Sequence, residues 1–271
     1  VAVTRLGNAD VIVARFDARC DVVGARALGG ALDDVATGAS VRGHGGVHVV
    51  LESKSASVAL EDGTTTALGG GATWVGVVVA VTGRATVQAA TAVTATGGAG
   101  DVTMHGVVSA CGTSSVYSIV GVGGAATGIA SGAASGSGNG PWLVKFNVAT
   151  MAGVSATAIT STATRTALGP PGTRVRLVSD DGGAAGGIWV CGRSYVAFTT
   201  AAGAVTVDAE FYLHIGAGVV DKAVSVAVGV GVANSFDCVS DRAGGLWAAT
   251  TYAGAHVRGP ESIPAPPLGF T

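Results

Sequence analysis

The sequence predicts an all-β chain folded as an antiparallel β-sandwich, and three observations carry the prediction. Glycine supplies 45 of 271 residues among abundant Val and Thr; β-branched side chains favour strands, whereas each Gly weakens a helix by about 1 kcal/mol relative to Ala. Short apolar or alternating runs are punctuated throughout by Gly-rich turn signals. The stretch from Val205 to Gly216, VTVDAEFYLHIG, alternates apolar and polar residues almost without a break. The chain is 48% hydrophobic but only 5% aromatic, so its core is assembled from many small Ala and Val contributions.

Taken in order, the elements follow from these signals. ADVIVARFDARCDVV contains a strand, and ALGGALDDVATGAS reads as a short helical turn. Val47 to Glu52 alternates, SASVAL extends the pattern, and Trp74 to Val81 reads as a buried strand. Further strands are expected at Ala85 to Thr96, Asp101 to Ser109 and Ser115 to Val122. Gly121 to Gly140 has the composition of a long surface loop. PWLVKFNV is the next strand, and TRVRLVSDD is a strand ending in a turn. IWVCGRSYVAFTT is read as a strand with a bulge at Gly192, followed by the alternating strand to Gly216. The prolines of PESIPAPPLGFT suit an extended arm. No internal period supports a propeller or regular solenoid, and many short strands suggest an antiparallel sandwich or jelly roll. The expected division is a sandwich domain over 1–216 and a C-terminal extension over 217–271.

Composition narrows the function. The net charge is -2 and charged residues make up 12%, against roughly 25% for ordinary soluble domains. Such a surface is either coated with Ser, Thr and Gly or covered by other subunits. There is no basic arm on which strong nucleic-acid binding would rest. No apolar run reaches the ~20 residues of a membrane helix. Lacking a signal peptide or initiating Met, the chain beginning at Val1 reads as a processed product. Cys20, Cys111, Cys191 and Cys238 show no CxxC pair and are expected to be buried free thiols.

Candidate chemistry is sparse. His44 and His48 in GHGGVH are four apart, but an extended chain separates them by roughly 13 Å, too far to share an ion. The segment is similar to the histidine motif of subtilisin-like proteases, yet no matching Asp segment precedes it. Nor does a nucleophile segment follow; GTSSVYS at Gly112 is the nearest text. Asp180 and Asp181 form the best carboxylate pair: a β-turn on the plain reading, an oxygen-ligand cation site completed by a neighbouring subunit on the sharper one. Asp33 and Asp34 have the same status. Arg174 and Arg176 share a strand face that reads first as solvated, with a contact to nucleic acid or a partner as the alternative. No Gly-rich loop carries a phosphate-binding signature.

The segment TRVRLVSDDGGAAGGIWVCGRSYVAFTTAAGAVTVDAEFYLHI, within residues 172–216, resembles the closing strands of jelly-roll coat proteins of small icosahedral viruses. The resemblance implies a non-enzymatic structural coat protein, located in the virion, that self-assembles into a capsid around a genome. Its partners would be other copies of itself and other coat chains, with viral nucleic acid enclosed and no membrane segment. No cofactor is implied beyond structural Ca²⁺ at subunit interfaces. The family's Arg/Lys-rich N-terminal segment is missing here, which leaves direct genome contact without a carrier. Two other classes fit the composition: a secreted adhesin or β-solenoid surface protein, and a secreted hydrolase on a β scaffold. The hydrolase would need His44, His48, His105, His214 or His256 to meet an Asp and a Ser in a cleft.

Overall fold

Strand follows strand along the chain, with no α-helix among the described residues. A computed structural model describes residues 4, 6–42, 45–59, 65–67, 73–110, 113–138, 141–160, 175–180, 187–194, 196–207, 209–227, 236–241, 245–250, 256–258 and 261–263. The chain divides into two units, Val1–Ala158 and Ile159–Thr271.

The first unit comprises β1 (Val11–Phe16), β2 (Val22–Leu28), β3 (Asp34–Val41), β4 (Val47–Ser53), β5 (Ser57–Ala59), β6 (Thr65–Ala67) and β7 (Val75–Val81). They are followed by β8 (Val87–Thr96), β9 (Val102–Ser109), β10 (Ser115–Val122), β11 (Gly128–Ser131), β12 (Ala134–Ser137), β13 (Trp142–Asn147) and β14 (Gly153–Ala158). A six-stranded sheet of order β12-β11-β8-β7-β4-β3 faces a four-stranded sheet of order β14-β13-β10-β9. All named strand pairs are antiparallel, so the parallel rungs of a β-solenoid are absent among the described residues.

Side-chain alternation builds two cores on this frame. Val50, Val78, Ala80 and Val93 of the larger sheet meet Met104, Val116, Val120, Trp142, Val144 and Phe146 of the smaller one. On the other face Val49, Leu51, Val77 and Val79 pack beneath Val11 and Leu28 of the β1–β2 hairpin and Val58 of β5. β7 therefore lies between two layers, which is why VGVVVAV is buried at every position and why its sequence is a continuous run rather than an alternation.

The sandwich also closes along both sides. At one, a Cβ on Gly38 of β3 would stand 2.7 Å from Gly106 Cα of β9. Beside that approach Ser109 N donates to Ser40 Oγ (3.1 Å) and Met104 N to Glu52 Oε1 (2.9 Å). At the other side Ala133 N donates to Gly153 O (3.1 Å). Covered edges offer no ladder on which a foreign strand can grow.

Two expectations are corrected here. The segment read as a helical turn forms β3, whose pairing with β4 runs from Asp34 to Val41. Nor is the stretch expected as a loop, Gly121 to Gly140, one long loop over its described part, 121–138: it contributes the end of β10 and the β11–β12 hairpin of the larger sheet. Ile129 and Ala134 anchor that hairpin in the core, and a Cβ on Gly136 would stand 2.5 Å from the Trp142 indole nitrogen. The small residues make room for an aromatic ring rather than flexibility.

The second unit contains β15 (Arg176–Ser179), β16 (Ile188–Ser194), β17 (Phe198–Thr200), β18 (Gly203–Val205), β19 (Ala209–Gly216), β20 (Val219–Ala227), β21 (Phe236–Ser240), β22 (Leu246–Thr250), β23 (His256–Arg258) and β24 (Glu261–Ile263). Its sheet has the order β15-β16-β19-β20, with β17–β18, β21–β22 and β23–β24 as separate hairpins. The boundary expected at 216/217 falls between β19 and β20, which pair closely, within the second of the two compact units. The arm expected in the proline-rich tail lies, beyond β24, outside the described residues.

The strand expected from Val205 to Gly216 is broken: Val205 ends β18, paired with β17, and β19 starts at Ala209. There is no bulge at Gly192, whose register with Phe211 is regular. A Cβ there would lie 2.5 Å from Phe211 Cζ, a ring that meets Phe198 edge-on at 5.6 Å. The cysteine expectation is also corrected. Cys191 of β16 is bonded to Cys238 of β21, with Tyr212 and Val226 around them. Cys20 is free but exposed, and Cys111 lies outside the described residues.

Candidate functional site

The densest arrangement of chemically capable side chains lies on β19 and its neighbours in the second unit. Alternation puts Glu210, Tyr212 and His214 on one face of β19, and that face is buried. Registry places His214 between Trp189 of β16 and Lys222 of β20. The His214 ring stacks obliquely on the Trp189 indole at 4.9 Å, and Lys222 Nζ stands 5.9 Å from the centre of the same indole.

Two carboxylates hold the imidazole. Asp221 Oδ1 lies 2.6 Å from Nδ1 and Asp180 Oδ2 lies 3.1 Å from Nε2. Each ring nitrogen is therefore taken up by a different carboxyl group. Gly187 and Gly216 make the space: a Cβ on Gly187 would sit 2.5 Å from His214 Nε2, and one on Gly216 would sit 2.7 Å from Asp221 Oδ2. Asp180 is fixed from the backbone as well, its N–H donating to Gly187 O at 2.8 Å.

This geometry limits the chemistry. In a nucleophilic triad one ring nitrogen is oriented by Asp while the other receives a hydroxyl proton. Here both nitrogens are engaged by carboxylates, leaving none to activate a nucleophile. Nor do the three groups share a point for an ion, because the two ring nitrogens face different carboxylates. Among the described residues no group of three or more His, Cys, Asp or Glu side chains is arranged to hold a metal. The cluster is best described as an electrostatic clasp joining the end of β15 to β19 and β20.

The remaining candidates separate. Asp180 is in the clasp, while Asp181, Arg174, His44 and the His256 side chain lie outside the described residues. Arg176 forms a two-pronged ion pair with Asp237 (2.8 and 3.1 Å), next to the disulfide, and this bond holds the guanidinium above its ordinary pKa. Its role is thus to tie β15 to β21. His48 is fully buried, with Nδ1 2.8 Å from Ser109 Oγ and Nε2 without a hydrogen-bond partner. Burial, with Arg42 adding to it, lowers its pKa to about 4. His105 is likewise lowered to about 4 by burial. Glu52, whose Oε1 caps Met104, is raised by burial and by Asp101 against the opposing pull of that hydrogen bond. Of GTSSVYS, Ser115 to Ser118 open β10, and just before them Thr113 Oγ1 donates to Ala110 O (3.1 Å) and accepts from Ser115 N (3.3 Å).

No helix among the described residues is long and apolar enough to cross a membrane. The chain matches no protein-family model, and no characterised protein is significantly similar to it in sequence.

Proposed function

We propose that this chain is a structural subunit that assembles with copies of itself into a shell, as a viral coat protein does, with a jelly-roll-like sandwich as its wall and no catalytic role. The observation that carries the reading is the placement of large apolar side chains on outward strand faces. Ile12 and Phe16 of β1 are 63% and 57% exposed, and Trp247 of β22 is 70% exposed beside its cross-strand partner Val239. Tryptophan standing in water is costly in a monomer and common at the centre of an interface. With edges of the first unit's sandwich covered, association through faces is the route left to that unit. A disulfide suits an oxidising location such as a virion surface.

The test is the mass of native particles, by light scattering and negative-stain microscopy. Assemblies many times the subunit mass are expected, and Trp247→Ser should lower the assembled fraction at least tenfold. A wild-type protein that stays monomeric at high concentration refutes the reading.

A further inference from the structure

Two carboxyl groups near the start of the chain each keep an oxygen bonded to nothing. Asp10, just before β1, accepts with Oδ2 from Leu6 N (2.8 Å) and Gly7 N (3.2 Å). Asp34, the first residue of β3, accepts with Oδ2 from Gly30 N (3.0 Å) and Ser55 Oγ (3.1 Å). The Oδ1 atom of each is buried and has no hydrogen-bond partner. Asp34 is only 3% exposed, so its free oxygen is withheld from bulk water.

The two groups also border the same backbone position. Both lie about Gly29, where a Cβ would stand 2.5 Å from Asp34 Oδ2 and 3.1 Å from Asp10 Oδ1; the residue has a φ of +149°, so glycine is required twice over. Among the described residues no Lys, Arg or His forms an ion pair with either carboxylate. A carboxylate oxygen taken out of water without a donor is costly to bury, and a positive charge beside it offsets that cost. A water molecule could fill the oxygens' bonding capacity but would not neutralise them.

We propose that Asp10 and Asp34 form a binding site within one subunit for a hard divalent cation of the Ca²⁺ class, with the two Oδ1 atoms as its anionic ligands. Oxygen-only ligation selects this class over zinc or copper, for which imidazole or thiolate would be expected. Two carboxylates supply the charge, and main-chain carbonyls and water complete the roughly six to eight oxygens that Ca²⁺ takes. The ion would fasten the approach to β1 onto the start of β3. That junction is already marked by the parallel bridge Ala9↔Asp33 and by Asp34 N donating to Ala9 O at 2.9 Å. The site does not depend on what the subunit assembles into.

The test uses the full chain after EDTA treatment, titrated with CaCl₂ by calorimetry and followed by thermal unfolding. One Ca²⁺ per chain is expected, with a rise in Tm of roughly 5–10 °C at a hundredfold excess over Kd. Asp10→Asn keeps an oxygen acceptor for Leu6 and Gly7 while removing the charge, and should weaken binding at least tenfold and abolish the Tm rise. If the untreated and EDTA-treated wild types melt alike and Ca²⁺ gives neither heat nor a shift, the proposal is overturned. Equal binding by the Asp10→Asn variant overturns it as well, since the ion would then lie elsewhere.

Discussion

His105 and His48 are carried in the first unit as neutral rings, each with a pKa lowered to about 4, mainly by burial. The sign of their effect follows from which state takes up protons. Above about pH 6.5 both the folded and unfolded chains hold neutral imidazole, and no stability depends on pH through these groups. Between about 6.5 and 4 the unfolded chain binds protons that the folded chain refuses, so stability falls with pH, and below about 4 the loss levels off. For His105 the full effect is on the order of 3 kcal/mol. Urea midpoints measured at pH 7, 5.5 and 4 should therefore decline, and His105→Leu should flatten the decline. A His105→Leu slope equal to the wild type's would mean that this ring protonates as easily folded as unfolded.

At the scale of elements, the β21–β22 hairpin shows how a short piece is held without much core. Its links to the sheet are the Cys191–Cys238 bond, the contacts of Leu246 and Ala248 with the cluster around it, and the exposed Arg176–Asp237 pair. An exposed ion pair contributes at most about 1 kcal/mol. Closing a loop with a separation of 47 residues removes unfolded-chain entropy worth about 4 kcal/mol on the loop-closure account. Reduction, or Cys238→Ser, should lower the stability of the second unit by a few kcal/mol, read as a drop in Tm with dithiothreitol. Loss of β21–β22 amide protection from hydrogen exchange should accompany it; a Tm indifferent to reductant would place the hairpin's anchorage elsewhere. Some of these elements were legible in the sequence and others were not, for physical reasons. β7 announces itself because an uninterrupted β-branched run is a distinct pattern. β11 and β12 do not, because a glycine that clears space for Trp142 is spelled like one that loosens a loop. The alternation of β19 correctly predicts a strand, yet its polar face is buried, because a disulfide-bonded hairpin covers it. Asp180 stands out as a carboxylate, but its partner His214 is 34 residues away and the pairing of β15 with β16 and of β16 with β19 brings the two together.

At the scale of the whole molecule, the division at Ala158/Ile159 separates two different strategies of stabilisation. The first unit encloses two apolar clusters between three layers, and every one of its strands pairs within it. It has the length at which a domain supports its own core, burying close to 70% of its unfolded surface. The second buries Val190, Phe198, Phe211, Leu213 and Ile215, and adds a disulfide and several two-stranded hairpins, which are marginal alone. Residues 1–158 produced alone should thus fold cooperatively, with a single urea transition and strong amide protection in β4 and β7. Residues 159–271 alone should depend on the disulfide, unfolding when reduced. The comparison also bears on assembly, because exposed apolar faces occur on both units, at Ile12 and Phe16 in one and Trp247 in the other. If the first fragment folds but stays monomeric where the full chain associates, the contacts that drive association belong to the second unit, and Trp247 is their first candidate. If it associates as the full chain does, the outer face of the β1–β2 hairpin is the interface. A fragment 1–158 without a cooperative transition would instead mean that its two clusters are stable only with residues 159–271 attached, and the division would then mark a change of packing inside one folding unit.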